Sequence, residues 1–152
     1  MNAGTFNTFL FYKLPSAWWC GVRLSHIDEA MAVTTVKYRW INQNPFKSMF
    51  WAVQGMAAEL STGALVIDKI RISGKDIAML LIATRAQFSK KATGRITFTC
   101  EDGALVDTML ERAVAVGREG HSFWMESVGR NQDGLEVARF EFEWSVKVRS
   151  RQ

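Results

Sequence analysis

The sequence predicts an α+β domain in which a curved, mainly antiparallel sheet wraps around one central, buried helix. Three observations carry this. The stretch 48–66 is apolar on nearly every helical face, as a helix enclosed on all sides must be. Six extended segments, rich in β-branched and aromatic residues, occur in consecutive pairs. The order is helix, two strands, buried helix, two strands, helix, two strands. Its crossovers are too few and too unevenly placed for a doubly wound parallel sheet.

Each element has a local reason. Phe6, Phe9, Leu10 and Leu14 recur at helical spacing before Pro15, so 1–16 is an N-terminal helix packed on the domain. The segments 18–28 and 30–40 are extended, and Asp28-Glu29 marks a tight connection between them. The polar turn "INQNPFKS" follows, punctuated by Asn44-Pro45, and Ser48 is the expected N-cap of the buried helix. The small residues Ala52, Gly55 and Gly63 form a stripe that would let another backbone approach closely. Segments 77–88 and 94–101 are the next strands; in the latter Ile96, Phe98 and Cys100 alternate with polar residues. Leu105, Met109, Ala113 and Val116 predict a helix from 105 to about Arg118. Strands at 121–130 and 135–149 form a hairpin about Asp133-Gly134, with Ala138, Phe140, Phe142, Trp144, Val146 and Val148 on one face.

The 152 residues predict a single domain, 1–152, long enough to enclose a substantial core. An apolar fraction of 48% with 22% charged residues is that of a soluble globular protein. Six Trp and ten Phe imply a bulky core, an aromatic-lined pocket, or both. The net charge of +4 suits an anionic partner, but the basic residues are scattered, apart from Lys90-Lys91 and a loose Lys147/Arg149/Arg151 tail. A nucleic-acid partner would call for clustering on one face, so none is expected. Cys20 and Cys100 lack metal-ligand spacing and are expected as buried, reduced thiols; no metal site is expected. No stretch reaches ~18 consecutive apolar residues and no charged leader precedes an apolar run. The expectation is a cytoplasmic protein without stable membrane association.

One residue contradicts its surroundings. Glu59 stands in the middle of "NPFKSMFWAVQGMAAELSTGALVI", where almost every neighbour leaves water. Burial disfavours a carboxylate's charged form and raises its basicity toward a catalytically useful range. Asn44, in the loop before the helix, lies fifteen positions earlier.

In this spacing, and in the order of its elements from about Trp18 onward, the chain resembles the hotdog fold, in particular the acyl-CoA thioesterase-like superfamily. Phenylacetyl-CoA-type members carry an Asn before the central helix and an acidic residue on it at the same separation. "NPFKSMFWAVQGMAAELSTG" looks closest to a thioesterase-like branch with an apolar pair at the helix start and Glu in the acid position. Better-known members have His-Gly-Gly at the helix start, whereas this chain has Phe50-Trp51-Ala52.

The resemblance implies hydrolysis of an acyl-CoA or acyl-carrier thioester, with CoA entering as part of the substrate and no separate cofactor, within fatty-acid metabolism. The amides of Phe50 and Trp51, at a helix N-terminus, would stabilise an oxyanion. Glu59 would be base or nucleophile. Asn44 would position the carbonyl or a water, and Lys90, Lys91 and Arg95 would meet the phosphates. Because Trp51 and Glu59 are about 12 Å apart along one helix, one carbonyl carbon cannot be served by both groups of one chain. The resemblance accordingly implies a homodimer, or a tetramer built from it, with sites between subunits. The alternative is a non-catalytic acyl- or lipid-binding hotdog protein, motivated by the missing His-Gly-Gly.

Overall fold

The computed structural model describes residues 1–117 and 119–149. Its elements follow the expected order. They are α1 (Ala3–Lys13), α2 (Pro15–Trp19), β1 (Arg23–Ile27), β2 (Ala32–Lys37), α3 (Trp51–Ser73), β3 (Ile77–Phe88), β4 (Arg95–Cys100), α4 (Gly103–Val116), β5 (His121–Arg130) and β6 (Glu136–Val148). The strands form one sheet in the order β1-β2-β4-β5-β6-β3, with every neighbouring pair antiparallel. Arg118, expected to end α4, and Arg151 of the basic tail lie outside the described residues. Among the described residues, no helix is long and apolar enough to cross a membrane.

The helix α3 lies on the sheet and is buried along most of its length. Polar side chains tie it down where apolar packing alone would allow sliding. Thr34 Oγ1 donates to the Ala57 carbonyl at 2.6 Å, Ser61 Oγ and Ser127 Oγ pair at 2.7 Å, and Trp144 Nε1 donates to Thr62 Oγ1 at 2.9 Å. Each satisfies a buried group that would otherwise cost ~1–3 kcal/mol.

Several boundaries differ from expectation. Trp18 and Trp19 lie in α2 rather than in the first strand, because Pro15 occupies the first helical position, where its missing N–H costs nothing. The helix α3 runs seven residues past Val66 to Ser73 and ends at Gly74, whose φ of 65° gives the left-handed cap. The charged pair Asp68-Lys69 falls within this extension and is buried. Asp68 accepts from the Met1 amino group and from Arg71, and Lys69 donates to Asp107 at 2.6 Å.

The stripe of small residues also has a different occupant from the one expected. An added Cβ would lie 3.6 Å from the Phe140 ring at Gly55 and 3.3 Å from the Trp144 ring at Gly63. Gly63 lets the Trp144 ring of β6 close against the helix, and Gly55 leaves room for the Phe140 ring. Gly55 and Ala52 are half-buried.

One sheet edge is notable for its composition. The strand β3 pairs only with β6 in this chain, is twelve residues long, and exposes Leu80 (67%) and Ile82 (53%). A long, apolar, unpaired edge is a template for pairing with another chain.

Candidate active site: the cleft at the start of α3

The loop 43–49 and the start of α3 are held by one buried asparagine. Asn42 accepts from the Arg39 amide at 2.8 Å through Oδ1 and donates through Nδ2 to the carbonyls of Cys20 (3.0 Å) and Lys37 (2.9 Å). Its own carbonyl accepts from the Phe50 amide at 2.9 Å. Gln43 and Met49 then form an isolated antiparallel bridge that closes the loop's base.

The helix begins at Trp51, with Phe50 as its N-cap and no side-chain cap. Ser48 is therefore not the cap. It belongs to a knot around Asn44, whose Oδ1 accepts from the amides of Phe46 (2.9 Å) and Ser48 (3.2 Å), and whose Nδ2 donates to Ser48 Oγ (3.0 Å) and the Met49 carbonyl (3.3 Å). Asn44 organises the loop with both ends of its side chain, leaving no free amide hydrogen for a substrate carbonyl. The Phe50 amide is likewise engaged. Among the described residues, the amides of Trp51 and Ala52 have no hydrogen-bond partner. These two, not Phe50 and Trp51, are the free donors at the positive end of a 23-residue helix.

Trp51 lines a cleft of about 560 Å³ together with Asn44, Phe46, Met49, Phe50, Gln54, Phe88, Lys90 and Lys91 among others; Ala52, the next residue along the helix, is half-buried and not part of that lining. Five of the seven residues singled out in the sequence thus meet in one place: Asn44, Phe50, Trp51, Lys90 and Lys91. Lys91 Nζ donates to the Phe46 carbonyl at 3.0 Å and so braces the loop. Arg95 does not line the cleft; it opens β4, opposite Lys37 of β2, with its amide directed at Gln132 Oε1.

Glu59 is also outside the cleft, two helical turns farther along α3. Its carboxylate lies beside Gly63, where an added Cβ would approach Oε1 to 3.5 Å and the Trp144 ring to 3.3 Å. Burial raises its pKa above the ordinary carboxylate value, and no cation or hydrogen bond among the described residues opposes that rise. Elsewhere, burial pushes the Cys100 thiol up to about 12, so it stays protonated and offers no nucleophile at neutral pH.

Sequence reasoning missed Gln54 and Phe88, both on the cleft wall. A glutamine inside an apolar helical run is itself a signal, of the same kind that drew attention to Glu59.

A family model described as a domain of unknown function, DUF4442, matches residues 3–146. No curated protein matches the chain. Among solved structures, a protein of unknown function from Pseudomonas aeruginosa, described as a probable thioesterase, superposes with a TM-score of 0.80 at 16% identity, covering 96% of each chain. A second thioesterase from the same organism gives a TM-score of 0.71 at 12% identity, over 98% of this chain and 96% of that one. A thioesterase from Staphylococcus aureus gives 0.67 at 13%, over 90% and 98%. At these identities the likeness establishes a shared fold. The chain has the hotdog fold and belongs to the DUF4442 family.

Proposed function

We propose that this protein hydrolyses acyl thioesters carried on CoA or an acyl carrier, working as a homodimer. The observation that carries the reading is the pair of unpartnered amides, Trp51 and Ala52, at the start of α3, where Trp51 lines a mainly apolar cleft edged by Lys90 and Lys91. Donors placed where negative charge develops, and away from bulk water, are the largest common source of transition-state stabilisation. Lys90 would attract the phosphates of the thiol arm's far end. Its effect at an exposed site is modest and reduced by salt.

The base is Glu59 of the partner subunit. Along one helix, Glu59 is ~12 Å from the Trp51 amide, so the cleft's own Glu59 is out of reach. The exposed edge of β3 supports the dimer, since edge pairing about a two-fold axis continues the sheet and brings two α3 helices together. Water then attacks the thioester carbon as Glu59 takes its proton. The tetrahedral oxyanion is held by the two amides, and collapse expels the thiolate, which recovers the proton to give acid and thiol. Direct attack by Glu59, forming an anhydride that water opens, gives the same products.

A second reading is acyl binding without turnover. The bulky Phe50 and Trp51 at the helix start, and the full engagement of Asn44 within its loop, favour it. Thiol release from short-, medium- and long-chain acyl-CoAs, measured with wild type and Glu59→Gln, separates the two. Turnover that collapses in a folded, dimeric Glu59→Gln supports hydrolysis. Tight acyl binding without turnover in either protein supports the second reading, and turnover in both excludes Glu59.

A further inference from the structure

Gln54 carries an anomaly. Its side chain is 4% exposed, and its Nε2 donates to the Met49 carbonyl at 3.3 Å. Its Oε1 is buried without any hydrogen-bond partner, the one such side-chain atom among the described residues. The amide cannot simply be reversed, because that would set two carbonyl oxygens against each other. Buried acceptors in native proteins are almost always satisfied, and an exception calls for an explanation.

The placement suggests what satisfies it. Gln54 lines the same cleft as Trp51. Side chains on a helix lean toward its N-terminus, so Gln54 reaches back toward the two free amides one turn earlier. We propose that Gln54 is a substrate-positioning residue whose Oε1 accepts the N–H of the amide next to the thioester in a pantetheine-type thiol arm. This rests on the thioester reading above.

The spacing is consistent with it. Three residues separate Trp51 from Gln54, about 4.5 Å along the helix. In a cysteamine-type arm two methylenes separate the sulfur from the amide nitrogen, about 4 Å along an extended chain of ordinary bonds. A thioester held at the Trp51 and Ala52 amides therefore carries its nearest N–H roughly to Gln54. A saturated acyl chain offers no donor at all. The contact thus directs the thiol arm, rather than the acyl chain, past Gln54, with Lys90 and Lys91 on the same cleft for its phosphates.

The test uses the full chain and a pair of non-hydrolysable thioethers. One is S-alkyl-N-acetylcysteamine; the other replaces its amide by an ester and so lacks only the N–H. Binding is followed by calorimetry for wild type, Gln54→Met and Gln54→Glu, each checked for fold by circular dichroism. Wild type is expected to bind the amide compound about tenfold more tightly than the ester, Gln54→Glu to keep that preference, and Gln54→Met to bind both equally. No preference in wild type, or a preference that survives Gln54→Met, overturns the inference. If Gln54→Met does not fold, Gln54→Ser takes its place under the same expectation. Hydrolysis of the matching thioesters is measured alongside. An amide preference without turnover leaves Gln54's role intact and overturns the hydrolytic reading, whereas turnover without the preference overturns the role of Gln54 alone.

Discussion

If the catalytic carboxylate comes from the other subunit, two inactive variants should restore each other. The variants are Glu59→Gln, which loses the base, and Asn44→Ala, which loosens the loop bracing the cleft. Loss of a positioned base costs roughly 10²–10⁴-fold. Displacing the cleft wall by ~1 Å can cost on the order of 10²-fold, because the carbonyl no longer sits against the helix amides. Each homodimer should therefore be nearly silent. A mixed dimer has one site built from the Asn44 cleft of one chain and Glu59 of the other, and a second site with both defects. Random equimolar pairing makes half of all dimers mixed, each with one intact site of two, so about a quarter of wild-type activity should return. The assay is thiol release after co-expression with two affinity tags, with dimer composition checked by native mass spectrometry. The ~12 Å from Trp51 to Glu59 along one helix is what makes the recovery necessary. Mixed dimers no more active than the parents would refute the shared site, and a monomer in solution would do so sooner.

Three further outcomes follow from particular residues. Burial raises the Glu59 pKa, so kcat/KM should climb with pH through a midpoint above the ordinary carboxylate range, and that rise should vanish in Glu59→Gln; a pH–rate profile of both proteins checks it. Gly129→Ala should destabilise the fold by about 1–3 kcal/mol, because an added Cβ would lie 2.4 Å from the Phe98 ring in the paired strand. Thermal unfolding reads this, and an unchanged melting temperature would mean that the ring moves aside freely. Lys90→Ala should raise KM for acyl-CoA about two- to fivefold at low salt and leave a phosphate-free thioester unaffected, a contrast measured directly by steady-state kinetics in two buffers.

The parts of the fold legible in the sequence were those governed by local periodicity. The strands β3 and β5 match their expected bounds because their apolar patterns end abruptly at turn residues. The misread parts depended on partners far along the chain. Nothing near Asp68 and Lys69 announces that Met1 and Asp107 will meet them, and the expected helix stops short of that pair, at Val66. Ser48 has the composition of an N-cap, but Asn44 captures it first, a competition visible only once the loop is folded. At the site, Asn44, Phe50, Trp51, Lys90 and Lys91 do converge, while the roles within that group shift. The free amides sit one residue later than expected, because the Phe50 N–H is already bound to the Asn42 carbonyl.

That last bond separates two functions usually carried by one stretch of chain. The loop 43–49 shapes the cleft, but its ends are fastened independently. Asn42 ties the near side to α2 and β2, and the Gln43–Met49 bridge closes the base. With Asn44 also holding the loop from within, the helix amides keep their place when only the loop's exposed tip changes. Phe46, which is 70% exposed at the loop's tip, can therefore change in size or polarity without moving the Trp51 and Ala52 amides. On the hydrolytic reading proposed above, substitution at the loop's tip shifts substrate preference while Asn44 and the helix amides stay where they are.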